Sequence, residues 1–147
     1  MRTIAVIPRG PDIDFAVLAQ CAQAVQIQIM KHFAPAWQIE AAVGAYPTVE
    51  AAPDAAGYVF VTRKPGGNGG MHFQPLETDE APFAVVDYSD ESLLSILLSH
   101  EILEMLVDPS GKLLTPGPDP LNPTRKALFL LEICDPCNDV TYALPEA

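Results

Sequence analysis

Residues 92–111 read SLLSILLSHEILEMLVDPSG. Ser89 and Asp90 stand just before this stretch, where a helix takes its N-cap, and Asp108-Pro109 stops it, because the residue before a proline is pushed out of helical space. The spacing predicts a helix over about 90–107. Leu93, Leu94, Leu97, Leu98 and Leu103, with Ile96, Ile102 and Leu106, make it almost wholly apolar apart from its acids. His100 and Glu104 are four residues apart, so both project from one face at neighbouring heights, and Asp108 lies at the next such step. Glu101 follows His100, roughly 100° further round the helix. Two side chains at this spacing can hold one ion, and a glutamate can stand where a second imidazole would, since zinc accepts either. The extra negative charge weakens the ion as a Lewis acid and shifts preference towards harder ions. A plainer reading stays open from spacing alone: Glu101, Glu104 and Asp108 form an exposed acidic stripe, and His100 is an ordinary helix histidine. An acid on so apolar a helix needs either a partner or water.

A second cluster lies further on. LEICDPCND (131–139) places Glu132, Cys134, Asp135, Cys137 and Asp139 directly after a hydrophobic run. A carboxylate there could supply the third protein ligand that two ligands on a helix require. Cys134 and Cys137 have the spacing of a metal knuckle or redox pair, but one such pair lacks the further ligands a zinc knuckle needs. The alternative is one buried cysteine and one incidental.

Around these clusters, strands and helices alternate irregularly. TIAVIP (3–8) is a buried strand, and DIDFAVLAQCAQAVQIQIMKHF (12–33) is a long helix, capped by Asp12 or Asp14 and ended by Pro35. Phe15, Leu18, Cys21 or Ala22, Val25 and Ile29 recur along it at helical spacing, which makes Cys21 a small core residue. WQIEAAVGAY (37–46), YVFVTR (58–63) and PFAVVDY (82–88) read as strands. KPGGNGGMHFQP (64–75) reads as a glycine-rich loop leading into a short extended edge near 71–74, where His72 alternates with Met71 and Phe73 and faces either a cleft or, more simply, the surface. GGNGG (66–70) lacks the Lys-Ser/Thr and following helix of a phosphate loop, so nucleotide binding is rejected. Residues 110–124 form a proline-dense loop, followed by KALFLLEI (126–133) as a strand. The expected architecture is α/β or α+β, one domain over residues 1–147, with a mixed twisted sheet.

Composition narrows the partners. Among 147 residues there are 8 basic and 19 acidic side chains, a net charge of −11. Scattered Lys and Arg on so acidic a chain argue against nucleic acid, which needs them clustered. The apolar runs are too short for a membrane span. Three cysteines fit a reduced intracellular protein, and MRTIAVIPRGPD reads as a first strand rather than an export signal, so cytoplasm is the expected location.

Two resemblances sharpen this reading. The order of strand 58–63, edge segment near 71–74, strand 82–88 and a helix carrying HE resembles the core of the zincin metallopeptidases over roughly residues 3–108. In that family substrates align along the edge strand with the metal helix behind it, and the consensus has histidine where this chain has Glu104. More specifically, SHEILEMLVDP (99–109) and EICDPC (132–137) resemble the helix and later segment of the exordium or phosphate-induced protein group and its bacterial relatives. The matching positions are His100, Glu101, Glu104, Asp108, Glu132, Asp135 and Cys137; Cys134 lies outside the pattern.

The resemblance implies a zincin-like site holding Zn2+, or another divalent ion, on His100, Glu104 and Glu132, with Glu101 as general base. Asp108, Asp135, Cys134 and Cys137 are the alternative ligands or acceptors that orient His100, and Tyr142 could donate to an oxyanion. The implied activity is that of a metal-dependent hydrolase, most simply a small peptidase acting on an extended peptide or protein. The alternative, which Glu104 favours, is an inactive zincin-like module that binds metal or a protein partner.

Overall fold

Ile4 to Ile7 are all buried, so this strand is covered on both faces, as the centre of a parallel sheet must be. The computed structural model describes residues 2–74, 80–137 and 140–144. In it β1 (Arg2–Pro8) pairs in parallel with β2 (Ala41–Ala45) on one side and with β3 (Gly57–Arg63) on the other. β5 (Phe83–Tyr88) extends the sheet in parallel beside β3, and β4 (Asn68–Phe73) closes it as an antiparallel edge. The order is β2-β1-β3-β5-β4. The fold is thus α+β, built on a mixed five-stranded sheet.

α1 (Phe15–Gln28) begins at Asp14, whose carboxylate accepts from the N–H groups of Ala16 and Val17; Asp14, not Asp12, is the cap. Pro35 does not end the run. A π-helical turn (Ile29–Phe33) leads into α2 (Ala34–Trp37), where Pro35 sits in the first turn and its missing N–H costs nothing. The stop is Gln38, in the left-handed region at φ 56°. Because helix reaches to Trp37, the second strand begins at Ala41 rather than at residue 37.

α3 (Leu94–Val107) follows a 3-10 turn (Glu91–Leu93) capped by Asp90. It lies against β3, β4 and β5 and beside α1, which covers β1 and β2. Leu94, Leu98, Ile102, Met105 and Leu106 fill the space between this helix and the inner residues Val59, Val61, Ala84 and Val86. The alternate residues of the sheet build an aromatic row on the other face, with Tyr58 beside Phe60, and Phe60 and Phe73 each meeting Phe83.

Of the glycine-rich stretch, Gly66 and Gly67 lie in the turn before β4, while Asn68, Gly69 and Gly70 already belong to the strand. The proline-dense stretch is also strand: β6 (Leu114–Asp119) pairs antiparallel with β7 (Asn122–Leu130) as a separate two-stranded sheet. Pro116 and Pro118 hide β6 from a sequence reading, yet proline is tolerated on an edge strand. The strand expected over 126–133 therefore starts and ends earlier and stays outside the main sheet, with Leu128 and Leu130 exposed.

Candidate metal centre

The acids of α3 are not a solvated stripe. Glu101 is 4% exposed, Glu104 3% and Asp108 0%. Burial in a helix this apolar demands partners for each carboxylate, and the three differ in how far that demand is met.

Asp108 is used up by its own turn. One oxygen accepts from the Ser110 N–H at 3.2 Å and its hydroxyl at 2.8 Å, and the other from the Leu113 N–H at 2.6 Å. Burial alone would raise its proton affinity, but these donors outweigh it and hold the carboxyl below the ordinary value. Its side chain is committed to the helix stop, which removes it from the alternative ligands.

Glu104 is the hub. Its Oε1 accepts from the Cys134 N–H at 3.0 Å, which ties the later segment to the helix. Its Oε2 stands 3.2 Å from His100 Nε2 and 3.8 Å from Nδ1 of His72. Burial opposes the ionised form of Glu104, but His100, the Cys134 N–H and His72 more than offset it, so the carboxyl titrates below its ordinary value. His100 is correspondingly raised, first by its bond to Glu104 against burial, then by the charges of Glu104, Glu101 and Asp135. Asp135, with its side chain 61% exposed, reaches His100 Nε2 at 3.3 Å.

His72 was expected at the surface and is 7% exposed. Register explains the difference. His72 pairs with Ala84, and residues directly opposite in a sheet share a face. Ala84 belongs to the face under the helices, so His72 points inward while Met71 and Phe73 point out. Nε2 of His72 lies 3.0 Å from the Asp108 carbonyl, and Nδ1 lies 3.6 Å from Glu101 Oε2. Burial lowers the proton affinity of His72, but Glu101, Glu132 and Glu104 together raise it above the ordinary value. In sequence the only signal was the two-residue step from Gly70 to His72. Gly70 shares that inner face, and a Cβ there would lie 2.5 Å from Glu101 Cγ. The strand can approach the helix so closely because this position has no side chain.

Glu132 comes from the segment after β7, with Oε2 3.9 Å from His72 Nε2. Burial and the negative charge of Glu104 push its pKa up. Two buried oxygens, Glu101 Oε2 and Glu132 Oε2, have no hydrogen-bond partner among the described residues.

Two donor sets therefore converge on Glu104: His72, Glu104 and Glu132, and His100, Glu104 and Cys134, each with its donor atoms within 4.8 Å of one another. Donors about 2.1 Å from a tetrahedral ion stand about 3.4 Å apart, so each set could close on a small divalent cation by a shift of its side chains, and among the described residues neither set holds His100 together with Glu132. The Cys134 thiol is pushed up to about 12, by burial first and then by the Glu104 charge, and its Sγ donates to the His100 carbonyl at 3.7 Å. Cys137 is exposed and belongs to neither set, so the two cysteines do not form a knuckle. Asp139 lies outside the described residues.

On the far side of His100 a cavity of about 490 Å³ opens between α1, α3 and the C-terminal segment, walled by Val25, Phe33, Leu103 and Ile133. Tyr142 lines it, with its hydroxyl 2.8 Å from Nδ1 of His32 rather than turned to the carboxylates. No protein-family model, curated protein or solved structure matches this chain.

Proposed function

We propose that the protein is a zinc-dependent hydrolase of zincin-like design, acting on an extended peptide. His100, Glu104 and Glu132 would hold the ion and Glu101 would serve as general base. The observation that carries this reading is the pair of unpartnered, buried carboxylate oxygens on Glu101 and Glu132, facing the two ring nitrogens of His72 at 3.6 Å and 3.9 Å. Each orphaned acceptor costs about 1–3 kcal/mol, a cost that a bound cation would offset. The architecture is consistent with it: parallel strands, an antiparallel edge strand, a backing helix, and a second helix carrying the acids under that edge.

When bound, the ion supplies Lewis acidity to a carbonyl and to water. Glu101, buried beneath β4, takes the proton of the attacking water and delivers it to the leaving amine. Glu104 holds His100 in orientation through the 3.2 Å contact and takes its own position from the Cys134 N–H. The outer edge of β4, unpaired among the described residues, offers backbone donors and acceptors to an extended chain, beside the exposed Met71.

Glu101→Gln should abolish peptide cleavage and leave about one zinc per chain, measured by elemental mass spectrometry alongside a peptide-library assay. Turnover retained in the zinc-loaded variant would refute the assignment. His100→Ala combined with Glu104→Ala should lose the zinc itself.

A second reading is favoured by the raised proton affinity of His72. An imidazolium set among Glu101, Glu104 and Glu132 could neutralise them without an ion, leaving a zincin-like module that binds a partner. Zinc-free protein that takes up no zinc on incubation would favour it.

A further inference from the structure

Helix α3 offers one imidazole where two histidines at this spacing would offer two. We propose that the edge strand supplies an imidazole, and that His72, through Nδ1, is a ligand of the ion that Glu104 and Glu132 would hold, the two carboxylates grouped with it within 4.8 Å. The inference rests on the metal-site reading above.

The tautomer is set by a backbone atom. A carbonyl oxygen can only accept, so the 3.0 Å contact to Asp108 requires the proton on Nε2. The neutral ring then carries its lone pair on Nδ1, aimed at the buried carboxylates of Glu101 and Glu104. This is the usual support of a ligating histidine: one nitrogen donates to a carbonyl, which orients the ring and raises the basicity of the other. It also gives Asp108 a role that its buried carboxylate does not show directly. The carboxylate folds the turn that presents its own carbonyl to His72.

Distances separate this from a hydrogen-bonded pair. Nδ1 lies 3.6 Å from Glu101 Oε2 and 3.8 Å from Glu104 Oε2. Both exceed hydrogen-bond length, so a proton on Nδ1 would have no close acceptor in this arrangement. A lone pair and a carboxylate oxygen sharing one small cation stand about 3.4 Å apart, within a few tenths of an ångström of what is seen. Glu101 is itself more than nine-tenths buried, with Oε2 unpartnered and aimed into the same space. The resulting set of His72, Glu104 and Glu132 is one neutral imidazole and two carboxylates, whose charge matches a divalent ion. It crosses from β4 to α3 to the segment after β7, so binding would clamp the edge strand to the helix.

The test is zinc affinity by competition with a chromophoric chelator, on the full chain as wild type, His72→Ala and His100→Ala. Thermal melting in excess chelator reports whether each variant folds. The expected result is a loss of more than about 100-fold for His72→Ala, beyond what removing an orienting group costs. Since His72 is buried, a second measurement does not need the variant. Nitrogen NMR of the wild-type imidazoles should show Nδ1 of His72 shifting on zinc addition while Nε2 stays protonated. Wild-type zinc binding with full affinity in folded His72→Ala, or with Nδ1 unmoved, would overturn His72 as a ligand while leaving the hydrolase reading intact. Absence of zinc binding in the wild type would overturn both.

Discussion

The two halves of the candidate site are built differently. Glu101, Glu104 and His72 sit on a helix and a paired strand, each less than a tenth exposed. Glu132, Asp135 and Cys137 arrive on a short irregular segment after β7, with side-chain exposures of 24% for Glu132 and 61% for Asp135, and Cys137 on the surface. The first half is pre-set by core packing; the second is held to it by the Cys134 N–H bond to Glu104. Buried, packed groups keep their geometry without a ligand, whereas an exposed segment adds partners only weakly. The rigid half should therefore carry the affinity and the irregular half should tune it.

The largest effect is expected from the turn that both halves depend on. Asp108→Ala strands the donors of Ser110 and Leu113 and frees the turn that presents the carbonyl to His72, and should cost about 3 kcal/mol or more by urea unfolding. A loss below 1 kcal/mol would show that the turn does not need its carboxylate. Gly70→Ala comes next. Its Cβ would meet Glu101, so overpacking of about 1–3 kcal/mol and displacement of the general base should lower turnover more than zinc content. Equal losses of both would mean that the strand, not Glu101, had moved.

A pH series on chelator-treated protein sharpens the comparison further. The raised value of His100 contributes stability that is full below its ordinary 6.5 and is lost as pH rises through the folded value. The lowered value of Glu104 contributes stability present above its ordinary 4.5 and lost as pH falls through the folded value. The pair is thus most favourable between about pH 4.5 and 6.5. Metal-free protein should lose melting temperature as pH rises above that window, while the raised Glu132 gives up stability earlier, as pH climbs from its ordinary 4.5 through its folded value. With zinc the slope should reverse there, because ligands bind the ion deprotonated. A slope unchanged by zinc would break the assignment. The smallest effects belong to the exposed positions. Asp135→Asn should weaken zinc binding by only a few-fold, about 1 kcal/mol or less, and Cys137→Ser should leave zinc content unchanged.

Local sequence logic carried much of this. The caps at Asp14 and Asp90, the stop at Asp108 and the i, i+4 pair of His100 and Glu104 are legible because each depends on residues within a turn or two. The strands of the main sheet are legible by their apolar runs. The hairpin of β6 and β7 was not, since its proline-rich edge carries the composition of a loop and its pairing is specified by a partner strand rather than by propensity.

What the chain determines alone is therefore the helix, its two neighbouring donors and the presence of a later acidic segment. Tertiary structure decided the rest. Whether the acids of α3 meet water or one another depends on the sheet beneath them. His72 is 28 residues before His100 and enters the cluster only because β4 pairs antiparallel with β5 in the register that opposes it to Ala84. A shift of one residue would turn it outward, since side chains along a strand alternate between faces.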